Sequence, residues 1–166
     1  MSNANISPLA YVDPTAQLGN NVTVHPFAYI DKNVVVGDNC EIKPYASILS
    51  GTRMGNNNRV FQNAVLGAEP QDFQYKGDDT ILQIGNDNVF RENVVINRAT
   101  FPDGRTVIGN GNFIHEGVHI SHDSKVGNSC VIGYGSKISG KCILEDCVIF
   151  GGNILASQGT RVGSWS

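Results

Sequence analysis

The chain of 166 residues sets 12 Lys and Arg against 15 Asp and Glu, a formal net charge of −3, with 40% hydrophobic residues. No basic run stands out, which excludes the electrostatic footprint of a nucleic-acid binder, and no apolar stretch approaches the roughly 18 residues of a membrane span. Cys40, Cys130, Cys142 and Cys147 form no CxxC pair and no zinc-like spacing, so reduced thiols and a cytoplasmic protein are expected.

In chain order, the opening MSNANISPLAY has neither a cationic start nor an apolar run, which argues against a secretory signal. From Ile6 an aliphatic residue then recurs every sixth position: Val12, Leu18, Val24, Ile30, Val36, and on through Leu66. The phase returns at Ile84, Phe90 and Ile96 and runs from Ile108 to Val162, broken only at Asp72, Asp78 and Pro102. Two positions before the aliphatic there is often a small or β-branched residue, among them Ala28, Cys40, Ala46 and Ala64. A helix of 3.6 residues per turn does not produce this period. Short strands do, because residues i−2 and i face inward while i−1 and i+1 face outward. Three hexads make one triangular coil of 18 residues, and stacked coils make an all-β parallel β-helix. Cys40, Cys130 and Cys142 fall in the small inward column and read as core filler. Residues 67–83 and 97–107 abandon the hexad and are expected to be loops, the places where a solenoid carries binding. A single domain is expected over 1–166.

The segment HEGVHISHD, 115–123, concentrates the chemistry. With Ile114 and Ile120 inward, His115 and His119 point outward and His122 sits at a corner, so each is expected on the surface. Residues 18 apart stack at about 4.8 Å, which places Gly140 above His122, Gln158 above Gly140, and Lys141 above Asp123. A base, a bare backbone turn and an amide in one column are what acyl transfer to a hydroxyl needs. A three-histidine metal site is the competing reading. It is disfavoured because the remaining histidine, His25, is expected five coils below His115, roughly 24 Å away. No metal and no cofactor are expected.

The hexads resemble those of the hexapeptide-repeat acyltransferases, which implies a left-handed coil, against the usual right-handed crossover, and a homotrimer with sites between subunits. A closer likeness lies in HPFAYI (25–30), AEPQDFQYKGDD (68–79), RENVVINRAT (91–100), HISHDSKVGNSCVIG (119–133) and GYGSKISGKC (133–142). These resemble the UDP-N-acetylglucosamine O-acyltransferases of lipid A synthesis over almost the whole chain. That likeness implies transfer of a 3-hydroxyacyl chain from acyl carrier protein to the 3-hydroxyl of UDP-N-acetylglucosamine. It implies His122 as general base, Asp123 as its orienting carboxylate and the Gly140 N–H as oxyanion donor. Gln71, Asp72, Gln74, Lys76, His119 and Gln158 would then contact substrate. Where the family reads Q-D-x-K-Y this chain has Gln74 in place of the lysine, and strand alternation allows Lys76, two positions on, equally to replace that cation or to stand solvated. Two family histidines are Lys141 and Ser157 here. The family also continues for further coils and a helical domain, so a shortened chain is expected, its activity open. The alternatives are an acetyl-CoA-type sugar acyltransferase of the same fold, a non-catalytic trimeric scaffold and a metal-dependent lyase.

Overall fold

A computed structural model describes residues 3–166. Twenty-four short strands form three parallel sheets of eight, each sheet taking every third strand in chain order. The first sheet begins at Asn5–Ile6, the second at Tyr11–Val12 and the third at Gln17–Leu18, and no helix occurs among the described residues. The hexad aliphatics close each strand and stack along the axis. Ile30, Ile42, Ile48, Leu66, Ile96, Ile120 and Phe90 are all fully buried, with Val22, Ala28, Cys40 and Ala64 beside them. Each buried Ile or Leu contributes about 1.5–3 kcal/mol relative to exposure, and that aliphatic stack is the core.

The corners follow a second rule. At the fixed position after most strands the backbone enters the left-handed region, in Asn21, Asn33, Asn39, Asn57, Asn63 and Asn93 for example. Asn tolerates that conformation better than most L residues. Between the third and first sheets a glycine column lets successive coils approach. A Cβ on Gly37 would lie 2.6 Å from the Gly55 carbonyl carbon. Beside it the side chains of Asp38, Asn56, Asn86, Asn110, Asn128 and Asp146 each accept a backbone N–H from the coil before.

The 18-residue step holds in most coils, as in Asn5 paired with Thr23. It lengthens twice. Arg59 pairs with Val89, 30 positions on, and Val89 with Phe113, 24 on. The insertions are therefore 12 and 6 residues, whole hexads, which is why the aliphatic phase survives them. Both leave the second sheet and return in the third, one between strands Val65–Ala68 and Ile81–Ile84 and the other between Val95–Asn97 and Arg105–Ile108. The loops are thus 69–80 and 98–104, tighter than the expected ranges. They also change a count. Strands Thr23–Val24 and Phe113–Ile114 are four steps apart in the first sheet, so His25 lies four coils from His115, not five, or roughly 19 Å.

Candidate active site

Both insertions emerge at the edge between the second and third sheets, in successive coils. The next three turns of that same edge carry His122–Asp123, Gly140–Lys141 and Gln158. His122 follows strand His119–Ile120, and its turn places Asp123 in the left-handed region at φ 60°. The Asp123 N–H donates to Thr106 Oγ1 at 2.8 Å, fastening the turn to the coil below.

His122 is buried, with 5% of its surface exposed, which corrects the expectation of a surface histidine. The inserted loops cover it. Its Nδ1 lies 2.8 Å from Asp123 Oδ2, 3.0 Å from Thr100 Oγ1 and 3.8 Å from Asp72 Oδ2. A carboxylate at 2.8 Å requires the proton on Nδ1, so Nε2 presents its lone pair. That nitrogen has no protein hydrogen-bond partner among the described residues and faces Gly140. A Cβ on Gly140 would sit 2.6 Å from Cε1 and 2.7 Å from Nε2, so only a glycine leaves the ring its place. The Gly140 N–H donates to no acceptor among the described residues, although Gly140 is buried. A lone pair and an unengaged N–H therefore stand one coil apart on one edge.

A cleft of about 450 Å³ opens over this pair, lined by Gln71, Asp72, Gln74, Lys141, Gln158 and His122 itself. A second recess of about 300 Å³ shares Gln71, His122 and Gln158 with it and reaches His119, Lys137 and Gly140. Eight of the nine expected site residues meet here. Lys76 does not: it is exposed, lines neither recess and forms no hydrogen bond among the described residues. Loop 69–80 turns at Asp72, whose side chain accepts the Gln74 N–H while its C=O accepts from Tyr75, and the turn carries the chain away from the cleft before Lys76. The cation that reaches the cleft is Lys141. The loop closing over His122 belongs to the same chain.

The electrostatics are graded. The Gln74 N–H holds the Asp72 carboxyl below its ordinary range, against partial desolvation, with help from the His122 and Lys141 charges and the Thr100 hydroxyl. Burial lowers His119 below the ordinary imidazole value, and Lys137 and His122 add to the effect. His119 Nε2 is 2.7 Å from Asn97 Oδ1. His115 packs its ring edge against Phe113 away from the cleft. No group of three His, Cys, Asp or Glu side chains among the described residues is arranged to hold a metal ion.

Sequence reasoning missed Thr100, Asn97, Thr106 and Arg98. Arg98 Nη2 donates to the Tyr75 hydroxyl at 2.7 Å and Nη1 to the Gly67 carbonyl at 3.0 Å, pinning loop 69–80 to the wall. The segment NRAT, which holds Asn97, Arg98 and Thr100, carried a visible signal, a polar run at the foot of an insertion, but no spacing tied it to His122.

The hexad solenoid is of the hexapeptide-repeat class, and residues 105–140 match the family model described as bacterial transferase hexapeptide (six repeats). The acyl-[acyl-carrier-protein]–UDP-N-acetylglucosamine O-acyltransferase of Janthinobacterium sp. is 48% identical over 96% of this chain and 61% of its own length. The UDP-N-acetylglucosamine acyltransferase structure from Bacteroides fragilis is 45% identical with a TM-score of 0.81, over 95% of this chain and 67% of that one. That from Francisella novicida is 37% identical with a TM-score of 0.93, over 95% and 58%. The chain belongs to the UDP-N-acetylglucosamine O-acyltransferase family. Its fold is accordingly a left-handed parallel β-helix. It spans 61% of the length of the Janthinobacterium relative.

Proposed function

We propose that this β-helix domain transfers a 3-hydroxyacyl chain from acyl carrier protein to the 3-hydroxyl of UDP-N-acetylglucosamine, the opening step of lipid A synthesis. One observation carries the proposal: His122 keeps Nε2 uncommitted beside the unengaged Gly140 N–H while Asp123 holds Nδ1. Nε2 removes the proton of the sugar hydroxyl as its oxygen attacks the thioester carbonyl. The Gly140 N–H donates to the oxyanion. On collapse the new ester forms, the C–S bond breaks, and the imidazolium returns its proton to the departing carrier thiolate. Asp123 stabilises the imidazolium in between. Gln71, Asp72, Gln74, His119 and Gln158 line the approach for the sugar and acyl groups, and Lys141 supplies the cation beside them. A positioned base contributes roughly 10²–10⁴ in rate, and an oxyanion donor roughly 10²–10³.

A cytoplasmic homotrimer belongs to the same proposal. No helix here is long and apolar enough to cross a membrane among the described residues. In the outward column of the second sheet, the stacked Tyr11 and Tyr29 stand exposed at one end and Leu155 at the other, with His119 and Lys137 between them, an amphipathic face suited to a neighbouring copy. Sedimentation equilibrium reads the assembly directly, and a monomer at all concentrations would remove it.

The test of the chemistry is single-turnover transfer from 3-hydroxyacyl carrier protein to UDP-N-acetylglucosamine, wild type beside His122→Ala. Product from the wild type and a loss of at least 10² in the variant is expected. Equal product from both removes His122 from the mechanism.

A further inference from the structure

Thr100 stands at the crossing of every polar contact behind the imidazole. It lies in loop 98–104, fully buried, 22 residues before His122 in sequence. Its backbone N–H donates to Asp123 Oδ1 at 3.1 Å, occupying the carboxylate oxygen that His122 leaves free. Its hydroxyl oxygen is 3.0 Å from His122 Nδ1 and donates to Asp72 Oδ2 at 3.4 Å. The proton arrangement follows from the partners. Asp123 at 2.8 Å keeps the proton on Nδ1, so the hydroxyl cannot donate there. It receives a share of that N–H through a lone pair and directs its own proton to Asp72.

From this we infer that Thr100 is a positioning residue for the acyl transfer proposed above, on which the inference rests. Its hydroxyl couples loop 69–80, through Asp72, to the orientation of the His122 ring. Its N–H fixes the carboxylate that selects the tautomer. The charged and titratable groups around the ring are Asp123 on its own turn, Asp72 from loop 69–80, Lys141 from the next coil and His119 from the preceding strand. Only Asp72 and Asp123 are linked to Thr100, one through the side chain and one through the backbone. A substitution confined to the hydroxyl therefore releases Asp72 and the ring while leaving the Asp123 contact in place.

Thr100→Val removes the hydroxyl and keeps the shape, whereas Thr100→Ser keeps the hydroxyl and removes the methyl. The first readout needs no substrate: the His122 Nδ1–H proton resonance, assigned by comparison with His122→Ala. It is expected to shift and exchange faster in Thr100→Val and to stay near its wild-type position in Thr100→Ser. In turnover, kcat of Thr100→Val is expected to fall roughly 10- to 100-fold, the range for a hydrogen bond to a charged group. KM for the sugar nucleotide should change less than about threefold, and Thr100→Ser should recover most of the loss. An unchanged resonance and kcat in Thr100→Val would overturn the inference. So would equal impairment of Val and Ser, which would assign the residue to methyl packing. If the wild type transfers no acyl group, the proposed function fails by itself, and the resonance still decides whether Thr100 holds the ring.

Discussion

The same edge of the solenoid, between the second and third sheets, behaves differently in its N-terminal and its later coils. In the early coils its polar side chains close their own turns. Asp13 Oδ1 accepts the Thr15 N–H at 2.8 Å and the Thr15 hydroxyl at 2.7 Å, and Asp31 Oδ1 accepts the Lys32 N–H at 2.8 Å. In the later coils the two insertions bring Asp72 and Thr100 onto the His122–Asp123 turn, so that groups far apart in sequence satisfy one another and screen the imidazole from water. Among the groups left unengaged there, within the described residues, are one ring nitrogen and one backbone N–H, beside the side chains of Lys141 and Gln158. A repetitive scaffold acquires a site where extra whole hexads leave the wall, because they crowd neighbouring turns without disturbing the stack beneath.

One substitution type made in both regions breaks that comparison open. Gly140→Ala sets a Cβ within 2.7 Å of His122 Nε2, so acyl transfer is expected to fall by roughly 10²–10³. Gly37→Ala meets the Asn56 side-chain amide and the Gly55 backbone of the next coil, far from the cleft. It should cost about 1–3 kcal/mol of stability and leave kcat unchanged wherever the protein is folded. Thermal melts paired with single-turnover rates separate the two, and a catalytic defect in Gly37→Ala would dissolve the distinction between wall and site.

The pH dependence of stability sharpens it more gently. His119 has a folded-state pKa below its ordinary 6.5 because burial disfavours its cation. Below about that pH the unfolded chain takes up a proton that the folded chain refuses, so stability declines as pH falls from 6.5 toward the lowered value. His119→Gln should flatten the profile over that window and leave the region above it unaltered, measured by urea melts across pH 5–8. A parallel profile in both proteins would show that His119 is not the group responsible. The smallest effect belongs to Lys76→Ala. Exposed and outside the cleft, it should change transfer by less than about twofold, within the ordinary range for surface substitutions. A tenfold loss would mean that the loop turns back in the substrate complex.

Much of this was legible in the residues. Ile6 to Val162 at six-residue steps dictated the strands, the inward columns and the three-sided coil, since strand alternation and corner spacing are local properties of the chain. The stacking of Gly140 over His122 followed from the same count, because no insertion falls between them. Where insertions do fall, counting failed: His25 is one coil nearer His115 than eighteen-residue arithmetic allows. Loop 69–80 shows the limit most clearly. Gln71 and Asp72 were recognisable by their motif, yet the replacement of the missing lysine by Lys76 was not, because the turn at Asp72 decides which later side chains return to the wall.

By itself, then, the sequence determined the repeat, the core and the column in which the imidazole stands. Only the tertiary structure decided that His122 is buried rather than exposed, that its proton rests on Nδ1, and that Thr100 and Asp72 stand behind it. The physical reason is one of range. Hydrophobic periodicity is written residue by residue along each strand, whereas the folding back of a polar loop depends on hydrogen bonds to partners that no period brings into register.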